Sequence, residues 1–82
     1  MGNEEAMSRW DFDLNVNADE IVVTVPFTNY TVTYYKPDNS PQLLARKFPS
    51  KDDGSAPMTQ AEFLAQAWRL ANKKARELGW VA

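Results

Sequence analysis

The chain has 82 residues, of which 44% are hydrophobic and 24% charged, and its formal net charge at pH 7 is −2. That length fits one hydrophobic core and is too short for two, and the composition is globular rather than disordered. Cysteine and histidine are both absent. Their absence excludes disulfides, thiol nucleophiles and the commonest general base and transition-metal ligand, so we expect neither a cofactor nor a metal.

The N-terminal segment is polar and acidic, beginning MGNEEAMS. Apolar runs long enough for a signal peptide or a membrane span do not occur in the sequence. We therefore expect a flexible tail over residues 1–8, a single domain over residues 9–82, a cytoplasmic location and no membrane partner.

Strict alternation of apolar and polar residues predicts a first strand near residues 10–16. Turn-forming residues follow, and a β-branched run then predicts a second strand near residues 21–26, paired with the first as a hairpin. Pro26 lacks an N–H group and should end the second strand.

Aromatic or β-branched residues that alternate with Thr predict a third strand near residues 30–35. In the turn before it, Asn29 is the residue best suited to a positive φ. A loop with two prolines follows, and a fourth strand is predicted near residues 43–48. The two faces of this fourth strand are chemically alike, so its register stays open. The third strand carries no residue that protects a sheet edge from pairing with a second chain.

The polar segment 49–57 predicts a loop before a helix near residues 60–78. Thr59 and Glu62 have the spacing of a capping box. Gly79 is placed to end the helix in a left-handed conformation. Met58 and Phe63 have the spacing of a hydrophobic staple. The apolar arc of the helix consists of Phe63, Leu64, Ala67, Trp68, Leu70, Ala71, Ala75 and Leu78.

These elements predict an α+β fold of order ββββα, in which an antiparallel meander of three or four strands packs against one C-terminal helix in two layers. Ala67, Ala71 and Ala75 recur every four residues. Their small side chains would let the helix approach a sheet face that is rich in aromatic residues. The aromatic residues expected on that face are Trp10, Phe12, Phe27, Tyr30 and Tyr34.

The other face of the sheet is the first candidate site, because a single helix covers only one side. A surface of Thr, Tyr and aliphatic side chains suits contact with a partner protein or with a second copy of the chain. A sheet face that only contacts solvent has a similar β-branched composition, so that interpretation stays open. The residues expected at the site are Val22, Thr24, Thr31, Thr33 and Tyr35, with Leu43 beside them.

The second hypothesis is nucleic-acid binding. A basic stripe at i, i+4 and i+7 lies opposite the apolar arc of the predicted helix, and further basic residues follow the third strand. The alternative is an exposed helix face with cations near its C-terminus, where the helix dipole favours them. The residues of this hypothesis are Arg46, Lys47, Lys51, Arg69, Lys73 and Arg76.

Enzymatic activity is the third class, and it would depend on carboxylates, Lys or Tyr alone. Asp11 and Asp13 would lie on the same side of one strand, and only a pocket that joined them to Tyr35 and Lys36 would favour catalysis. Segment 51–55 lacks the ligand spacing of a calcium loop and the pattern of a phosphate-binding loop, so it is interpreted as a hydrophilic turn. The sequence thus favours a small non-catalytic interaction module.

Overall fold

The computed structural model describes residues 12–81. Four strands are followed by one helix: β1 (Asp13–Asn17), β2 (Glu20–Thr24), β3 (Thr31–Tyr35), β4 (Leu44–Lys47) and α1 (Gln60–Leu78). The strands form one antiparallel sheet in the order β1-β2-β3-β4. The predicted ββββα, α+β fold is confirmed. The predicted flexible tail over residues 1–8, and the side chain of Trp10, lie outside the described residues.

The first hairpin turns in two residues, because Asn17 is paired with Glu20. Ala18, the first residue of the turn, has a φ of 50°. The common two-residue hairpin turns need a positive φ at this position, since that conformation matches the twist of the paired strands. The hairpin was expected from the sequence, but glycine or asparagine is the usual residue where alanine occurs here.

The β2–β3 loop corrects two expectations. Phe27, and not Asn29, has the positive φ, at 67°, and the Phe27 side chain is 100% exposed rather than packed under the helix. The chain turns at Pro26, as predicted, and the Thr28 hydroxyl donates a hydrogen bond of 2.8 Å to the Val25 carbonyl. This tight turn directs the Phe27 side chain away from the core. β3 lies between β2 and β4 in the sheet, so the lack of edge-protecting residues in this strand exposes no edge.

The position of Leu43 is the third correction. Leu43 is 1% exposed and belongs to the core, whereas Leu44 is 44% exposed and is paired with Tyr35 of β3. The register between β3 and β4 shifts at Thr33/Tyr34. Leu43 and Leu44 precede this shift and alternate regularly, but the sequence did not indicate which side of β4 faces the helix. The pairing of Leu44 with Tyr35 decides it and places Leu43 on the helix side.

The helix begins and ends with the predicted caps. The Thr59 hydroxyl accepts a hydrogen bond from the Glu62 N–H, and the Glu62 carboxylate accepts one from the Thr59 N–H. At the other end, Gly79 has a φ of 81°, and the Trp80 N–H donates to the Ala75 carbonyl over 2.8 Å. These bonds satisfy backbone groups that have no partner within the helix.

The core lies between α1 and the helix-facing side of β2 and β3. Phe63 is fully buried, and its ring stacks on Tyr30 at a centroid distance of 4.9 Å and on Phe12 at 5.9 Å. Burial raises the pKa of Tyr34 to about 12, and its ring lies 5.7 Å from that of Trp68. The buried residues are Ile21, Val23, Val25, Tyr30, Val32, Tyr34, Leu43, Met58, Phe63, Ala67, Ala71 and Ala75.

The loop before the helix is held by hydrogen bonds to the β2–β3 turn. The Tyr30 hydroxyl donates to the Met58 carbonyl over 3.2 Å and accepts from the Asp53 N–H over 3.0 Å. The Asp53 carboxylate accepts from the Asn29 N–H over 2.6 Å and from both the N–H and the hydroxyl of Ser55. The bond from Asn29, and then those from Ser55, lower the pKa of Asp53, because they stabilise its ionised form.

Asp53→Asn is expected to lower the melting temperature by a few degrees at pH 7, because an amide cannot accept all of these hydrogen bonds. A carboxyl whose pKa is lower in the folded state stabilises the protein above its unfolded pKa, and the stabilisation is lost as the pH falls through the folded pKa. The difference from wild type should therefore shrink at about pH 3, below the ordinary Asp pKa of about 3.9. Thermal unfolding of both proteins, followed by circular dichroism at pH 7 and pH 3, measures this difference in melting temperature.

Asp38→Asn is the matched control, because Asp38 is an exposed carboxylate in another turn. It should leave the melting temperature unchanged at pH 7. Equal melting temperatures for the two variants at pH 7 would show that the Asp53 carboxylate does not stabilise the loop.

Candidate functional site

The helix packs on one face of the sheet, and the residues of the other face are partly or fully exposed. Ile21 and Val23 are fully buried against the helix side, so the residues that alternate with them in β2 point to the opposite side. The same alternation applies to β3, where Val32 and Tyr34 are buried. We call the helix-free surface the open face. Its residues are Asp13, Asn15, Asn17, Glu20, Val22, Thr24, Thr31, Thr33, Tyr35, Leu44, Arg46 and Lys47.

From its centre to the β2–β3 loop, the open face is flat and rich in hydroxyl groups. Thr24 and Thr31 are directly opposite each other in the β2–β3 register, with their hydroxyl oxygens 3.2 Å apart in a hydrogen bond. Val22 and Thr33 form the next opposing pair, and both are partly exposed. Short β-branched side chains project little from the sheet, so this region presents a shallow surface with both donors and acceptors.

One end of the open face carries an aromatic–cation pair. The guanidinium carbon of Arg46 lies 4.1 Å from the ring centroid of Tyr35, and its Nη1 forms an ion pair with the Glu20 carboxylate. The Arg46 and Glu20 side chains are 48% and 29% exposed, so the ion pair contributes little to stability, about 0–1 kcal/mol. Its geometric effect is to hold the guanidinium over the ring.

The five residues that the sequence assigned to the candidate site lie together on the two central strands. Thr31 is exposed, and the other four are partly exposed: Val22, Thr24, Thr33 and Tyr35. Sequence reasoning missed Glu20, although its i, i+2 spacing from Val22 indicates the same face. It also missed the stacking of Arg46, which depends on the register shift between β3 and β4.

The basic residues of the nucleic-acid hypothesis lie on two sides of the fold. Arg46 lies on the open face, whereas Arg69, Lys73 and Arg76 are exposed residues of the helix, which packs on the opposite face. Lys51 belongs to the loop before the helix. Lys47 is opposite Thr33 and therefore shares the open face with Arg46. The structure therefore does not bring the six residues onto one surface, and nucleic-acid binding stays a prediction.

Candidate catalytic and metal-binding groups are also dispersed. Among residues 12–81, no three Asp or Glu side chains come together in a group that could hold a metal ion. Asp13 belongs to β1 and Tyr35 to β3, with β2 between them. Asp11, the other half of the predicted carboxylate pair, lies outside the described residues. Within segment 51–55, the Asp53 carboxylate is occupied by hydrogen bonds from Asn29 and Ser55.

Comparisons of this chain with protein-family models, with curated proteins and with solved structures found no match. Within residues 12–81, α1 is not apolar enough to cross a membrane. The chemistry of the open face is thus the basis for inferring function.

Proposed function

We propose that this protein is a small non-catalytic interaction module that binds a partner protein through the open face. The observation that supports this most directly is the Tyr35–Arg46 stack, held by Glu20 on the side of the sheet that the helix does not cover. Tyr and Arg are enriched in the central, energetically important part of protein interfaces. Because the guanidinium is already positioned, less side-chain entropy would be lost on binding.

The flat region beside the stack supports the same function. Val22 and the three Thr side chains combine apolar methyl groups with hydroxyl groups in one shallow surface. A flat surface with dispersed polar groups is typical of contacts between proteins, whereas small-molecule sites are concave. The proposed partner therefore presents a flat surface with an apolar centre and a polar rim.

The charges of the open face favour a protein over a nucleic acid. Nucleic-acid affinity depends on several cations that contact phosphates together. On the open face the Arg46 charge is paired with Glu20, and the charge of Lys47, opposite Thr33, is balanced by that of Asp13, opposite Thr24, so the face has no excess of cations.

Site-specific photo-cross-linking tests the proposal. A photoreactive amino acid in place of Thr31 should give a discrete cross-linked protein in lysate of the source cells, because Thr31 is the most exposed Thr of the face. The same amino acid in place of Arg69, which is exposed on the helix, should not give that product. Products that are equally abundant from both positions, or adducts that nuclease removes, would contradict the proposal.

A charge substitution on the open face should abolish that product. In the Thr31-substituted protein, Thr24→Glu places a carboxylate within the contact, where it would lose its hydration; it is opposite Asp13 in the register rather than a cation. The matched control is Ala65→Glu, which adds the same charge on an exposed position of the helix. We expect loss of the product with Thr24→Glu, retention with Ala65→Glu, and far-ultraviolet circular dichroism spectra that match for the two proteins. Retention with both variants would overturn the assignment to the open face.

A further inference from the structure

We propose that two copies of this chain associate through the outer edge of β1, forming a continuous eight-stranded sheet, a surface different from the open face. β1 and β4 are the two edge strands of the sheet. Among residues 12–81, no other strand pairs with the outer edge of β1. An edge strand presents unpaired backbone N–H and C=O groups, which favour pairing with another strand.

The two edges differ in the features that prevent such pairing. β4 has four residues, among them Arg46 and Lys47, and its pairing with β3 is interrupted by a register shift. Short length, positive charge and irregular pairing are the means by which proteins protect an edge. β1 has five residues in unbroken register with β2, and it contains neither Lys, Arg nor Pro. The protected edge is thus β4, and the edge available for pairing is β1.

The sequence of β1 is complementary to itself in one antiparallel register. Pairing centred on Asn15 gives all five residues a partner, placing Leu14 opposite Val16 of the second copy and Asp13 opposite Asn17 of the second copy. Opposing residues then match in character, and no two carboxylates face each other. A shifted register that placed Asp13 opposite Asp13 of the second copy would bring two carboxylates together, and fewer residues of β1 would be paired. This charge pattern favours a second copy of the chain as the occupant of the edge.

The helix-facing side of this edge has apolar surface that pairing would bury. Val16 is 40% exposed, and Leu14 is partly buried beside Leu70 in a shallow groove between β1 and the helix. The groove is bordered by Lys73, Lys74 and Glu77, of which the last two form an ion pair of 3.2 Å. A two-fold axis through Asn15 places both helices on the same side of the joined sheet. The Leu14 and Val16 side chains of both copies would then form one continuous apolar strip.

Analytical ultracentrifugation over a concentration series tests this association. Wild-type protein should convert from monomer to dimer as the concentration rises. Val16→Lys should weaken the dimer about tenfold or more, because a lysine on an edge strand opposes pairing. Leu44→Lys is the matched control, since it makes the same change of charge at a similarly exposed position, 44% against 40%, of the other edge strand. A monomeric wild type at every concentration, or equal weakening by the two variants, would overturn the proposal.

Disulfide cross-linking tests the register. The chain contains no cysteine, so an introduced cysteine is the sole thiol. Under mild oxidation Asn15→Cys should form covalent dimers, since residue 15 is opposite its own copy at a distance that a disulfide can span. Asp13→Cys should not, because the two copies of residue 13 would be four positions apart in this register. Equal cross-linking of both variants would contradict the register. The two proposals can be tested separately. If Val16→Lys abolishes the dimer while the photo-cross-link from position 31 to the partner remains, self-association and partner binding use different surfaces.

Discussion

Replacing Phe63 with alanine is expected to lower the free energy of unfolding by about 3–5 kcal/mol. Phe63 is fully buried, and its ring stacks on both Phe12 and Tyr30. The substitution removes this contact between helix and sheet and leaves a cavity that the surrounding rings cannot fill completely. Because native domains are stable by only about 5–15 kcal/mol, we expect a large shift of the urea unfolding midpoint, followed by circular dichroism.

Phe27→Ala is the matched control, because it removes the same atoms from a side chain that is 100% exposed. Alanine keeps a Cβ atom, so the positive φ of residue 27 is equally unfavourable in both proteins. The free energy of unfolding should change by less than about 0.5 kcal/mol. A loss at Phe27 as large as the loss at Phe63 would show that the β2–β3 loop packs in the core after all.

Ala71→Leu is expected to lower the free energy of unfolding by about 1–3 kcal/mol. Ala71 is fully buried between Ala67 and Ala75 on the side of the helix that faces β2 and β3. A larger side chain there must move the helix away from the sheet or force its neighbours from their preferred rotamers. Urea unfolding gives the change in free energy, and an unchanged slope with denaturant would show that both proteins expose similar surface.

Ala65→Leu provides the comparison on the exposed side of the same helix. Leucine and alanine have similar helix propensities, so a change of less than about 0.5 kcal/mol is expected there. If Ala71→Leu is as well tolerated as Ala65→Leu, the close approach of helix and sheet is not required for stability.

Local patterns were enough to predict the helix and the three strands before the proline-rich loop. The capping box at Thr59, the Gly79 cap and the alternation in β2 and β3 are each determined by neighbouring residues. The same alternation explains why five residues of the open face were placed together from the sequence.

Features that depend on distant parts of the chain were not predictable in this way. Leu43 and Leu44 are chemically identical neighbours, and only the register between β3 and β4 determines which one is buried. Phe27 was expected in the core because of its hydrophobicity, but the turn that starts at Pro26 gives it a positive φ and full exposure. The Tyr35–Arg46 stack also requires that register, since it joins two strands across a loop.

The strand order has a consequence for how the chain folds during synthesis. Every strand pairs with the next one along the chain, so each hairpin closes a short loop at low entropic cost and can form early. The helix that covers the sheet occupies residues 60–78 and is made last. The nascent chain therefore presents the apolar side of β2 and β3 to water or to chaperones until the helix leaves the ribosome. Chains that terminate before Phe63 are expected to aggregate rather than to persist as stable fragments.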